Sequence, residues 1–365
     1  MILKQTITKI TKMKRLILKP LLLLTLLLLF SCQETEVTNI VHSDGSITRK
    51  IVIKDTDGGN FKPEFYKVPF DSTWKISDTI EIAENNDTTW IRTAEKFFRD
   101  VDELNLEYKN DKGANRQTSR EARFSKKFHW FNTIYTFSED IESNFKHGYP
   151  IEDYLSEKEL EYFYLPENIL EERKMGSDSI NARQIADSVE LKSEKWMFMS
   201  CIAEWEYIFQ SIAEKNGKWN DSLEFLKAQD SLIYSLIEKA ENDSGSNYFF
   251  DSKDIILRKI FGDELFVTLK PEIDSSMVKF EELFAVVTDF SEYSVRTIMP
   301  GKLVCTKGFI DTNGEILWPV KMEYFLTQPY HMWAESKTSN TWAWVVSGVF
   351  LGFVFLGLIV RFFKK

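Results

Sequence analysis

Residues 342–360 read WAWVVSGVFLGFVFLGLIV, nineteen residues without a charge. At ~1.5 Å per residue, a helix of that length measures about 28 Å, close to the ~30 Å hydrocarbon core of a bilayer. Trp342 and Trp344 stand at one edge, where indole favours the interface. Arg361, Lys364 and Lys365 follow at the other. A helix buried in a soluble core seldom lacks charge on every face for so long. The stretch therefore predicts a transmembrane helix over 342–361, with a cytoplasmic tail of 362–365. Gly348 and Gly352 have the spacing of small-residue helix-packing faces, a pattern that also arises by chance.

The other end of the chain carries a matching signal. Lys4, Lys9, Lys12, Lys14, Arg15 and Lys19 precede an apolar run over 21–30 that is interrupted only by Thr25. The run is too short to span and has the form of a signal-peptide h-region. It ends in Leu29-Phe30-Ser31-Cys32: apolar, any, small, cysteine. This resembles the lipobox of bacterial lipoprotein precursors. The resemblance implies removal of residues 1–31 as a signal peptide, a diacylglyceryl group on the Cys32 thiol, and acylation of the new amino terminus. Met13 before Lys14-Arg15 would open an equally ordinary signal peptide. Basic residues precede the first apolar run and follow the last. The positive-inside bias then puts both flanks in the cytoplasm and residues 33–341 on the far side of the inner (cytoplasmic) membrane, facing the periplasm or the cell exterior. Membrane lipid is the first expected partner, through Cys32 and the spanning helix.

Charge narrows the partners further. The chain carries −10, while residues 1–32 hold six bases and no acid and residues 342–365 hold three and none, so residues 33–341 carry −19. That field repels nucleic acid and anionic headgroups. These 309 residues suffice for one large or two small domains, and their ample aliphatic and aromatic content argues against a disordered stalk. Besides Cys32 there are only Cys201 and Cys305, both in apolar surroundings. They can pair across a helix and a strand, or remain as thiols, the commoner state of a buried cysteine.

Along the ectodomain the hydrophobic period changes twice. Residues 35–42 and 46–54 alternate around Asp44-Gly45, which predicts a β-hairpin. Further strands are expected over 74–76, 79–83, 88–94, 123–128 and 130–137, with a short helix over 98–108 and a loop over 111–120. Near Ser138 the period moves towards 3.6, predicting helices over 151–164, 166–174, 178–215, 221–240, 252–260 and 271–284. Trp196, Trp205 and Phe209 belong to the longest of these, apolar on most faces and so expected at the centre of a helical layer. Strands return over 293–298, 302–309, 315–322 and 331–336. The expected fold is α+β. A mainly antiparallel, membrane-proximal sheet is built from 32–138 and 288–341, a helical insertion occupies 139–287, and one C-terminal transmembrane helix follows. The order also resembles LppM-type envelope lipoproteins, with the lipobox, Asp44-Gly45-Ser46 in an early hairpin, a helical insert, Pro300-Gly301 and Trp318 in late strands, and a terminal span. That likeness implies an envelope protein without assigned chemistry.

No sequence pattern implies a cofactor. His42, His129, His147 and His331 lack metal-ligand spacing, and nucleophile-elbow, phosphate-loop and CxxC motifs are missing. The string 55–60 (DTDGGN) has Gly59 where a calcium ligand should stand and reads as a strand-ending turn. Glu204 and Glu206, beside Trp205, read as a solvated helix face. One pattern exceeds composition: Asp-Ser/Thr before an aliphatic residue or Thr occurs seven times, at Asp71, Asp78, Asp87, Asp178, Asp187, Asp221 and Asp230. It is similar to a three-residue O-glycosylation sequon of some bacterial envelope proteins, which makes Ser72, Thr79 and Thr88 candidate sites. Asp178 and Asp221 instead suit helix starts. The expected function is non-enzymatic: an envelope ectodomain that binds a protein or an apolar ligand. The alternative is an envelope hydrolase with a carboxylate-based site.

Overall fold

Alternation over 35–54 becomes the hairpin it predicts, with β1 (Glu34–Val41) antiparallel to β2 (Ile47–Asp55) and Val41 opposite Ile47. Gly45 turns the chain at φ 97°, and a side chain there would meet the Phe124 ring at 2.9 Å. A computed structural model describes residues 34–56, 58–59, 61, 72–83, 87–110, 118–176, 178–217, 254, 258, 262–290, 292–311 and 313–363. β3 (Lys75–Ile82) and β4 (Thr88–Phe98) extend the hairpin on the β2 side. On the other side β1 pairs in parallel with β7 (Tyr293–Ile298), a partner some 250 residues away along the chain. β10 (Ile316–Val320) and the two-residue β9 (Phe309–Ile310) complete the sheet.

One sheet was expected, and there are two. β5 (Thr118–Phe128), β6 (Asn132–Ser143), β11 (Tyr330–Ser339) and β8 (Lys302–Thr306) form a second, antiparallel sheet in the order β5-β6-β11-β8. The fold is mixed α+β, with mainly antiparallel sheets. The chain crosses between sheets at Pro300-Gly301. There Gly301 has φ 78°, and an added Cβ would lie 2.4 Å from the Lys337 carbonyl. Helix α1 (Val101–Asn110) bridges the layers. Asp100 Oδ1 caps its Glu103 N–H, Glu107 accepts from Trp74 Nε1, and Asn105 exchanges two bonds with the Ala122 backbone. The inner faces pack Val37, Ile51, Phe98, Val295 and Trp318 against Phe137, Ile141, Met332 and Ala334, forming one core.

The boundary expected at Ser138 lies at Ser143, because the acidic segment 138–143 keeps period two and turns Glu139, Ile141 and Ser143 inward. The insertion then carries a 3₁₀ turn (Ile151–Asp153), α2 (Glu157–Phe163), α3 (Glu167–Met175), α4 (Ser179–Lys215) and α5 (Asp263–Asp289). The single helix expected over 151–164 is thus split. Helix α5 does not start at Pro271 but runs through it. The buried stripe Phe266, Leu269, Ile273, Met277 and Phe280 outweighs the ~3 kcal/mol cost of an interior proline. The helix expected over 221–240, most of that over 252–260, and the side chains of Trp205 and Phe209 lie outside the described residues. After β10, the short α6 (Met322–Phe325) leads to β11. Asn340 alone separates β11 from α7 (Thr341–Phe363), a 23-residue helix with mean hydropathy 2.5 over its most apolar window and its side chains turned outward.

Strand directions place the chain's ends. Lys126 Nζ donates to Ser43 O (2.9 Å) and Gly45 meets Phe124, so the β1–β2 turn lies beside the last part of β5, towards the α7 end. β1 therefore runs towards α7 and begins at the far end, where the helical insertion also joins. Asn39 faces Glu139, with Glu34 five residues away on one side and Phe131 eight on the other. At ~3.3 Å per residue, reduced by the ~30° crossing of packed sheets, Glu34 stands about 40 Å from the β5–β6 turn. The start of β1 and the start of α7 thus lie at opposite ends of the sheets.

Candidate functional site

Between the sheets, charged residues occupy positions whose parity belongs to the core. Arg49 shares the inward face of β2 with Ile47, Ile51 and Ile53, and Glu139 that of β6 with Tyr135, Phe137 and Ile141. Both are fully enclosed, with side chains 0% and 1% exposed. The Glu139 carboxylate accepts from Tyr108 Oη of α1 (3.1 Å), Asn39 Nδ2 of β1 (3.2 Å) and Arg49 Nη1 (3.5 Å). Arg49 also donates to Tyr108 Oη and stands 5.1 Å from that ring's centre. Beside this set, Arg120 of β5 donates to Tyr293 Oη of β7 and stands 5.3 Å from its ring. Burial raises both tyrosine hydroxyls well above their usual range. Burial alone would lower the Arg49 pKa, but Tyr108 and Glu139 outweigh it and the guanidinium stays charged. Asn39 and Glu139 also border a crevice walled by Phe137, Val295, Trp318 and Met332 that is too narrow for water. The arrangement ties β1, β2, β6 and α1 together through one carboxylate.

A second polar group joins the insertion to β6. Glu204 of α4, expected on a solvated face, is buried. It accepts from the backbone N–H of Lys146 (2.9 Å) and His147 (2.8 Å), and pairs with His147 Nδ1 at 3.2 Å. The His147 ring stacks on Tyr207 at 3.5 Å and 13°. Ser200 Oγ accepts from the Tyr149 N–H, and Trp196 Nε1 donates to Tyr149 O. Burial pushes the neighbouring Cys201 thiol up to about 12, which suppresses its thiolate. Serine, histidine, glutamate and cysteine thus lie close together without forming a nucleophile relay. Glu204 already serves two amides, the Ser200 oxygen accepts from an amide, and the thiol is held neutral. Cys305 is a separate, exposed thiol on β8, so the cysteines do not pair.

The third group lies where α7 begins. Asn340 donates through Nδ2 to His129 O (2.7 Å) and Trp130 O (3.3 Å) and through its backbone N–H to Phe131 O (3.0 Å), and accepts from Thr133 Oγ1 (3.0 Å). Trp130 Nε1 donates to Ser347 Oγ at 2.8 Å. Phe128 stacks on Trp342, Trp130 meets Trp342 edge-on, and Phe131 lies 4.3 Å from Trp344. These five rings are 40–59% exposed and ring one end of the molecule.

Of the residues singled out in the sequence, Cys32 lies outside those described, two positions before β1. Ser72 and Thr79 are exposed and Thr88 half-buried at the start of β4, while Asp78 is engaged by Arg92 in a two-pronged pair (2.8 and 2.7 Å). Ser188 donates to Glu159, and Asp178 precedes α4 without capping its backbone. Among the described residues, no three His, Cys, Asp or Glu side chains cluster as a metal site. The polar clusters of Arg49 and Glu204 were not foreseen. Their signal is charge on core parity, legible for Arg49 and Glu139. Comparisons with protein-family models, curated proteins and solved structures find no match.

Proposed function

We propose that the chain is a membrane-anchored envelope lipoprotein whose ectodomain works by binding rather than catalysis. The observation that carries the anchoring is α7, a 23-residue apolar helix that follows β11 after one residue and turns its side chains outward. Basic residues after it and before the first apolar run support an ectodomain outside the cytoplasmic membrane. The leucine-rich run ending at Cys32 supports a lipid on that thiol. An unknown envelope protein or apolar ligand is the proposed partner, met at the helical insertion, which lies at the end away from α7. The buried acids Glu139, Glu159 and Glu204 each serve donors within the protein, an arrangement that favours binding over carboxylate-based hydrolysis. O-glycans at Ser72, Thr79 or Thr88 belong to the same proposal.

Two measurements test it. The full chain is expected to resist carbonate extraction, and its release would refute the span. Metabolic labelling with a palmitate analogue is expected to mark the wild type and not Cys32→Ala, which should accumulate as uncleaved precursor. Equal incorporation in both would remove the lipid from the reading.

A further inference from the structure

We infer that the β5–β6 turn is itself a lipid-contacting element: Trp130 and Phe131 enter the bilayer edge beside α7, in the leaflet nearest the ectodomain. The inference rests on α7 being a span, and it follows from lengths. Counted from Ser347 to Val360, the apolar helix is only about 21 Å, short of the ~30 Å hydrocarbon core; counted from Trp342 it is about 28 Å. The bilayer boundary must therefore lie near Trp342, about 7 Å above Ser347 along the helix axis. Trp130 bonds to Ser347, not to the start of the helix, so its indole is carried to that depth. Phe131 follows against Trp344.

The chemistry of the turn fits that medium. Residues 128–131 (FHWF) carry no acid, lysine or arginine, and Lys127 stands just behind them at headgroup level. Irregular backbone at membrane depth needs its polar groups satisfied within the protein. Here the carbonyls of His129, Trp130 and Phe131 all accept from Asn340, and the Trp130 indole N–H is taken by Ser347. Exposed Phe128 and Trp342 extend the ring collar around the same level, where aromatic side chains favour the interface.

The test places a benzophenone-bearing amino acid at Phe131, Phe353 or Glu152 of the full chain. The protein is reconstituted in vesicles of phosphatidylethanolamine and phosphatidylglycerol and irradiated, and lipid adducts are read by mass. Phe353 lies mid-helix at 70% exposure, and Glu152 lies in the insertion at the opposite end. Comparable lipid adducts at positions 131 and 353, with about tenfold less at 152, are expected. Adducts at 353 without any at 131 would overturn the inference and leave the span standing. None at 353 would overturn the span, and the inference with it. Equal yields at 131 and 152 would show contact without depth and overturn the inference as well.

Discussion

Glu139→Ala probes the joint between the two sheets. The carboxylate compensates a guanidinium that has no exposure, and it accepts from Tyr108 and Asn39 as well. At 3.5 Å and an effective dielectric of ~20, the Arg49–Glu139 attraction is about 5 kcal/mol. Measured losses from orphaning one member of such a buried pair run ~3–5 kcal/mol. We therefore expect Glu139→Ala to lose about 4 kcal/mol. With a guanidinium m-value of ~4 kcal/mol/M, the midpoint should fall by about 1 M. Replacing both partners, as Arg49→Met with Glu139→Leu, removes the orphaned charge and leaves Tyr108 and Asn39 short of a partner, at ~1–2 kcal/mol each. With Arg49→Met and Glu139→Leu each expected to lose about 4 kcal/mol alone, the double variant should lose no more than either, so the losses in that cycle are far from additive. The assay is guanidinium unfolding of the full chain in detergent micelles, followed by tryptophan fluorescence. A single-variant loss below ~1 kcal/mol, or additive losses in the double, would refute the pairing.

Other consequences can be checked in the same preparation. Trp196→Ala should lose ~3–5 kcal/mol, since its fully buried indole donates to Tyr149 O and meets Phe163 edge-on. Glu159 accepts from Lys192 first, then Ser188 and Ser156, which together hold its pKa down from 4.5 to about 2. Its folded pKa is depressed, so its stabilising contribution is present above pH ~4.5 and is lost as pH falls through about 2. The stability difference between wild type and Glu159→Gln should shrink over that window, and a pH-independent difference would refute the assignment. Under native conditions maleimide should modify Cys305 quickly and Cys201 only after unfolding, as peptide mapping would show.

What was legible in the chain is what depends on neighbours. The hairpin over 35–54, the start of α4 near Ser179, and β7 all follow from local period and turn chemistry. Ser156-x-x-Glu159 is a capping box that opens α2, a local signal visible in the sequence. Segment 138–143 (SEDIES) failed for a different reason. Its acids suggest a helix surface, yet Glu139 is drawn into the strand interior by Arg49, ninety residues away. Division into two sheets was not readable either. Parity says which face of a strand is buried, never which other strand lies beside it, and the β1–β7 pairing joins segments some 250 residues apart.

Pairings of that kind also decide how the two proposed anchors relate. A long linker before α7 would let the sandwich lie along the membrane and bring both of its ends to the lipid. Here the linker is Asn340, fixed to three carbonyls of the β5–β6 turn, and Trp130 ties the same turn to the second turn of the helix. The sandwich is thus held to the helix as one body. Glu34, where β1 starts, follows Cys32 by two positions in the sequence. That start stands about 40 Å from the β5–β6 turn, by strand rise and sheet crossing. If both proposed anchors are present, they lie too far apart along the sheets to enter one leaflet with the sandwich standing over the membrane. On the proposal made above, a lipid on Cys32 would then meet a second surface, or an apolar site on a partner, rather than sit beside the proposed span.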